Sequence, residues 1–430
     1  MDSRFRGNDL LIMTNRSVFA STGDTKFLPE LAQRLQNTNV SVIKEMMYLG
    51  AREAALGKSI VSLGVGLPFY PAPKHIHDHV KKILDEKPDI DKYTLLTGLP
   101  ALRKIVADKS SQQLGFEVTS EEILITPGSM AALFYSMLSL VNPGNEVILP
   151  SPYFSSHAEQ IAIAGGIVVP VPMIEDKENG YRLNVPAIQK VINKKTKAIV
   201  INNPQNPSGA VYLQDDLTTL ADIISNTNIY IITDEVYDYL VYDDKKYFNI
   251  ASIKKLWPKV IRCASLSKKY GMMGWRIGYL HTNKDLLMNI LKIHDANIVC
   301  APHISQEAAI AALTGPQDAV KNHIRWLAEN RNAICDRLDK LPDLFSYMLP
   351  KGAYYVFPKY SLKYNSIEMA KKLLYEAGVV TVPGIGFGEE GENHLRLSFG
   401  SSIADINEAF DRIGKWWNVI RQRQKRSYHV

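Results

Sequence analysis

Four short polar stretches of this chain each follow a run of apolar residues, and their side chains suit one chemistry. Ser265-Leu266-Ser267-Lys268 follows Val260 to Ala264, and Asp234-Glu235-Val236-Tyr237 follows Ile229 to Thr233. Asn202-Asn203-Pro204-Gln205-Asn206 follows Ala198 to Ile201, and Pro127-Gly128-Ser129-Met130 follows Ile123 to Thr126. A lysine placed behind a buried run is a candidate nucleophilic amine. Hydroxyls, and the free amides where a glycine-bearing turn enters a helix, are phosphate ligands. An acid and amides complete the set. An amine beside phosphate ligands points to a phosphorylated cofactor that carries a carbonyl.

These stretches meet only if the runs before them are strands of one sheet whose carboxyl ends share an edge, where ligands of parallel sheets bind. The further runs Glu146 to Leu149, Gly166 to Val169 and Arg276 to Leu280 extend the series, and amphipathic stretches such as 215–225 lie between several of them. Such alternation predicts right-handed βαβ units around a largely parallel sheet, an α/β fold. After Gly315-Pro316 the character changes. One long charged helix is expected over 318–340, short strands near 352–357 and 394–399, and a closing helix over 404–421. The expected division is a weakly patterned extension (1–40), a segment joining the small domain (41–70), a large domain (71–317) and a smaller α+β domain (318–430).

Composition narrows the function classes. The chain has 430 residues, 46% hydrophobic and 22% charged, as an ordinary globular protein has. The net charge of +6 is small for this length and lies partly in the tail Arg421 to Arg426, so no nucleic-acid partner is expected. Cys263, Cys300 and Cys335 are odd in number and far apart, which fits neither a disulfide framework nor a metal site. A reducing, cytoplasmic setting is the expectation. No run approaches the roughly 18 apolar residues of a membrane span, and Leu10 to Met13 is too short for a signal-peptide core.

Six motifs in register resemble those of the class I aminotransferases, pyridoxal phosphate (PLP) enzymes with the aspartate aminotransferase fold, fold type I. Ser265-x-Ser267-Lys268 with Gly274-Trp275-Arg276-Ile277-Gly278-Tyr279 resembles the family's lysine signature. Asn203 to Gly209 and Asp234 to Tyr237 resemble its NPxNPTG and DExY elements, and Tyr93 to Arg103 its YTxxxGxxxLR segment. Val382-Pro383-Gly384 and Leu395 to Phe399 match its closing pair, so the likeness covers about 41–420. The resemblance implies an enzyme that moves an α-amino group from an L-amino acid to a 2-oxo acid by a ping-pong mechanism. Lys268 would be the Schiff-base residue and proton carrier, its pKa lowered by burial and nearby positive charge. Asp234 would keep the cofactor's ring nitrogen protonated, and Asn206 and Tyr237 would bond the ring hydroxyl. Arg276, the Ser265 and Ser267 hydroxyls and the Ser129 and Met130 amides would hold the phosphate, and Phe154 would stack on the ring. Arg396 would clamp the substrate α-carboxylate with help from Asn203, and Gly66 would pass over the substrate. Tyr93 would reach the phosphate of a neighbouring subunit, which implies a homodimer with shared sites.

Two positions depart from the family's pattern. Phe69-Tyr70 stands where an acid usually follows the proline of the N-terminal segment, and Met130 aligns with a lysine that reads a distal carboxylate in aspartate-specific members. A neutral, aromatic or mixed amino donor is therefore as open as aspartate. The competing enzyme is a fold-type-I PLP β-lyase on the same residues. A PLP-sensing regulator would need a DNA-binding domain, for which the stretch before Ser41 is too short.

Overall fold

The computed structural model describes residues 32–35, 38 and 40–427, the side chains of 424–427 excepted. The N-terminal extension expected over 1–40 thus lies almost wholly outside the described residues, as do the side chains at the end of the basic tail.

Seven strands form the central sheet: β1 (Ile123–Thr126), β2 (Glu146–Ser151), β3 (Ile167–Pro172), β4 (Thr196–Asn202), β5 (Tyr230–Asp234), β6 (Val260–Ser265) and β7 (Gly278–His281), in the order β1-β7-β6-β5-β4-β2-β3. β2 to β6 pair in parallel. Their interiors are Val and Ile on both faces because helices cover both sides, and two apolar clusters fill the two interfaces. The strand expected over 276–280 begins at Gly278 and runs antiparallel to both β6 and β1. The reason is the connection: a loop returns the chain from Ser265, with no crossover helix to bring it round in parallel. That return leaves Arg276 at the same edge as the carboxyl ends of β1, β4, β5 and β6.

Helix α1 (Ser129–Leu140) starts directly behind β1, and α2 (Ser155–Ile163) behind β2. The long helix α3 (Asp318–Asp339) and the closing helix α4 (Ile403–Ser427) pack together in a second core. Into it come β8 (Tyr355–Val356), β9 (Val382–Pro383) and β10 (Leu395–Ser398), a three-stranded antiparallel sheet. Met46, Leu49 and Leu63 join the same core from the other end of the chain. Val61–Ser62 pairs in parallel with Val379–Val380, which lays residues 63–70 across the edge where the polar strand ends gather.

Candidate active site

Asp234 closes β5, opposite Asn202 at the end of β4. Its carboxylate is buried and faces His157 of α2, with Nε2 3.0 Å from Oδ2. The Asn202 amide locks the neighbouring loop: Nδ2 donates to the Asp234 carbonyl (3.2 Å) and Oδ1 accepts from the Asn206 amide (2.9 Å). Asn206 is thereby turned inward, where its Oδ1 accepts from Arg396 Nη1 at 3.2 Å.

Lys268 lies in the turn after β6. Its Nζ donates to the Gly66 carbonyl at 2.8 Å, and its own carbonyl accepts from Tyr70 Oη at 2.7 Å. Burial, then the charges of Arg396 and Arg276, bring its pKa down from the ordinary lysine value to about 8. Arg396, on β10, is 1% exposed. Nη2 donates to the Gly64 carbonyl at 2.7 Å, while Nε has no partner. The rings of Tyr355 and Phe387 lie 4.6 and 5.2 Å from its Cζ, and burial lowers its pKa. Neither cation pairs with a carboxylate among the described residues. Two cations, Arg396 buried and Lys268 half-buried, held only by carbonyls, an amide oxygen and rings form a receptor for anions, because charge removed from water is stable only when compensated.

Arg276, just before β7, donates to the carbonyls of Met273 (3.2 Å) and Pro127 (3.3 Å). Gly128 has φ +80° at the entrance to α1, and a Cβ there would stand 2.5 Å from Arg276 Nη2. Only glycine lets the guanidinium come this close to the free amides of Ser129 and Met130. Ser265 Oγ accepts from the Ser267 amide at 3.1 Å. Phe154 precedes α2 and meets the His157 ring edge-on at 5.5 Å. Tyr237 Oη is 2.8 Å from Tyr355 Oη, and burial raises its pKa well above the usual phenol value.

Most of the expected residues thus gather at one edge, with two exceptions. Asn203 does not face the site. Its Oδ1 accepts from the Tyr212 amide (3.1 Å) and its Nδ2 donates to the Phe248 carbonyl (3.5 Å), which holds the side chain on the far side of the loop. Asn206, and not Asn203, is the amide that touches Arg396. Tyr93 is 82% exposed and lies outside the cluster of its own chain. Met130 is 36% exposed at the start of α1.

Four participants escape the sequence reading. His157 gave only a weak sign, three residues behind Phe154 at helical spacing. Tyr70 was visible only as a departure without a role. Tyr354 and Tyr355 lie more than a hundred residues from Tyr237, and nothing local marks them. Tyr354 Oη donates to the Gly66 carbonyl at 3.0 Å, beside Lys268.

The sequence model of the family described as aminotransferase class I and II matches residues 58–413. A probable aspartate aminotransferase of Methanocaldococcus jannaschii is 34% identical over 385 residues, covering 88% of this chain and 97% of that one. An aromatic-amino-acid aminotransferase 2 of Thermococcus litoralis is 34% identical over 399 residues, covering 92% and 99%. The solved aspartate aminotransferase from Thermus thermophilus with maleate superposes with a TM-score of 0.84 at 30% identity, over 90% of this chain and all of that one (100%).

Proposed function

The chain belongs to the class I and II aminotransferases, and from that premise we propose that it carries an α-amino group from an L-amino acid to a 2-oxo acid with PLP anchored on Lys268. The observation that carries this is a pair of cations, buried Arg396 and half-buried Lys268, that have no carboxylate partner among the described residues.

The residues present fit the cofactor. The Gly128 cradle, Arg276, the Ser129 and Met130 amides and the hydroxyls of Ser265 and Ser267 suit a phosphate. Asp234, braced by His157 and Asn202, suits a protonated ring nitrogen; Asn206 and Tyr237 suit the ring hydroxyl, and Phe154 a ring face. Bound there, PLP supplies an aldehyde and a cationic ring that withdraws electrons from a substrate Cα.

The other parts are the chain's own. Arg396 binds the α-carboxylate, its unpartnered Nε and one Nη forming a fork for two oxygens. That contact orients the amino acid with Cα toward Lys268. Lys268, with a pKa near 8, holds or releases a proton close to neutral pH and so serves as base and then acid at Cα. Tyr354 and Gly66 give Nζ a resting place between those roles. Asp234, held by His157 and Asn202, would face the ring nitrogen. Two half-reactions through one site make a ping-pong sequence.

Among the described residues no cation beyond Arg396, Lys268 and Arg276 faces this edge, and Met130 offers nothing to a second carboxylate. Leaving such a group desolvated and unpaired is costly. Neutral or aromatic amino acids are therefore the proposed donors. The test mixes the PLP form with each amino acid and follows the loss of visible absorbance as pyridoxamine phosphate and the 2-oxo acid form. Neutral or aromatic donors should react at least as fast as aspartate. A preference for aspartate or glutamate above about tenfold, ~1.4 kcal/mol, would place a further cation at the site.

A further inference from the structure

We propose that Tyr355 is a positioning residue that couples the arginine of the substrate carboxylate to the hydroxyl of Tyr237, an inference that rests on the site assignments above. Tyr355 starts β8, opposite Ser398 of β10 and so beside Arg396 in the same small sheet. Its side chain is wholly buried. The ring lies 4.6 Å from Arg396 Cζ, and the hydroxyl 2.8 Å from Tyr237 Oη. A Cβ on Gly66 would come within 2.5 Å of that hydroxyl, so the N-terminal segment closes over Tyr355 only as glycine. Three separate parts of the chain converge on this one side chain.

Each contact has a physical consequence. A buried guanidinium without a carboxylate gains attraction from a ring face and has its plane fixed by it. A buried phenol needs a polar partner, and Tyr355 has Tyr237. Tyr237 can donate only one proton. When that proton points to a cofactor oxygen, Tyr355 is left to donate to Tyr237. Hydrogen bonds in series strengthen one another, so Tyr355 makes Tyr237 the better donor. Tyr354 donates to the Gly66 carbonyl at 3.0 Å and is also a hydrogen-bonding neighbour of Tyr237. The titratable and charged groups around the pair are Tyr354, with its ring 5.3 Å from Tyr237 and 4.8 Å from Tyr355, Tyr239 beyond it, Arg396, and Lys268 on the Gly66 carbonyl.

The test titrates the visible band of the PLP-loaded protein against pH in wild type, Tyr355→Phe and Tyr355→Leu. The same spectra give the affinity of 3-phenylpropanoate, an amino-acid mimic without the amine. A donor to the ring oxygen favours the form in which that oxygen is charged, which lies on the alkaline side, so a weaker donor moves the midpoint up. Tyr355→Phe should raise it by about half a pH unit, the size of one modest hydrogen bond, with 3-phenylpropanoate affinity kept within about twofold. Tyr355→Leu should raise the midpoint and also weaken 3-phenylpropanoate by about thirtyfold, the scale of a desolvated cation–π contact. A Tyr355→Phe protein that titrates as wild type does would overturn the coupling while leaving the cofactor assignment intact. A wild type that forms no visible band with PLP would overturn both. Should Tyr355→Leu fail to fold, the Tyr355→Phe midpoint decides, since that change keeps the ring and its packing.

Discussion

At the scale of single residues, the site is defined by charge that its own chain leaves uncompensated. Burial, and then the charges of Arg396 and Arg276, lower the affinity of Lys268 for protons, and burial lowers that of Arg396. A lysine whose folded pKa lies near 8 and whose unfolded value is 10.5 binds fewer protons folded than unfolded between those limits. Its burial therefore destabilises the cofactor-free protein at and below pH 8, and that penalty fades as pH rises from about 8 to 10.5. The same shift governs reactivity. The rate at which cofactor-free protein captures PLP should rise with pH around a midpoint near 8, the value at which half the Nζ groups are neutral. Arg396→Gln removes the larger of the two neighbouring positive charges and should move that midpoint upward. A capture rate still climbing as an ordinary lysine does, through pH 10, would mean that Lys268 is not the amine involved.

At the scale of elements, the strand ends decide what each motif presents. Asp234 and Glu235 are adjacent, yet the chain sends them to opposite sides of β5. Glu235 pairs with the fully buried Arg262 of β6, with Oε2 2.7 Å from Nη2, and accepts from Thr233 Oγ1 at 2.7 Å. His281 of β7 lies 3.1 Å from the same guanidinium, which with burial keeps its pKa well below normal. This network fixes β5, β6 and β7 against one another behind the site. Arg262→Met would leave Glu235 buried without its cation and should cost about 3–5 kcal/mol, read as a fall in the denaturant midpoint. A loss under about 1 kcal/mol would show that the pair behaves as a solvated one.

The same elements explain what could be read from sequence. Lys268, Asp234 and Asn206 were legible because each lies in a polar stretch behind an apolar run, and Arg276 because it heads one; the sheet turns those local facts into a shared edge. Asn203 and Asn206 look alike in sequence, each before a proline; their different orientations come from Tyr212 and Asn202. The direction of β7 was missed because apolar content reveals a strand and not its sense. Tyr355 and Tyr354 were invisible because β8 is two residues long and their partners are remote in sequence.

At the scale of the whole molecule, the site is assembled from both ends of the chain. Residues 61–70 reach the sheet edge only because they pair with Val379–Val380, and Arg396 arrives on a strand of the second core. We propose a division of the chain at 70/71 and 317/318. Tyr93, exposed and away from its own site, supports a homodimer in which it serves the neighbour's phosphate. Mixing Lys268→Ala with a Tyr93 variant that binds PLP poorly should then give hybrids more active than either parent. A monomer by sedimentation with full activity would refute sharing. No helix among the described residues is long and apolar enough to cross a membrane. Everything above depends on one residue holding the cofactor, so the most direct measurement is to load the purified protein with PLP, reduce with borohydride and map the labelled peptide. The pyridoxyl group should sit on Lys268, and Lys268→Ala should take up no label there. Label on Lys269, or none after loading, would contradict the account at its centre.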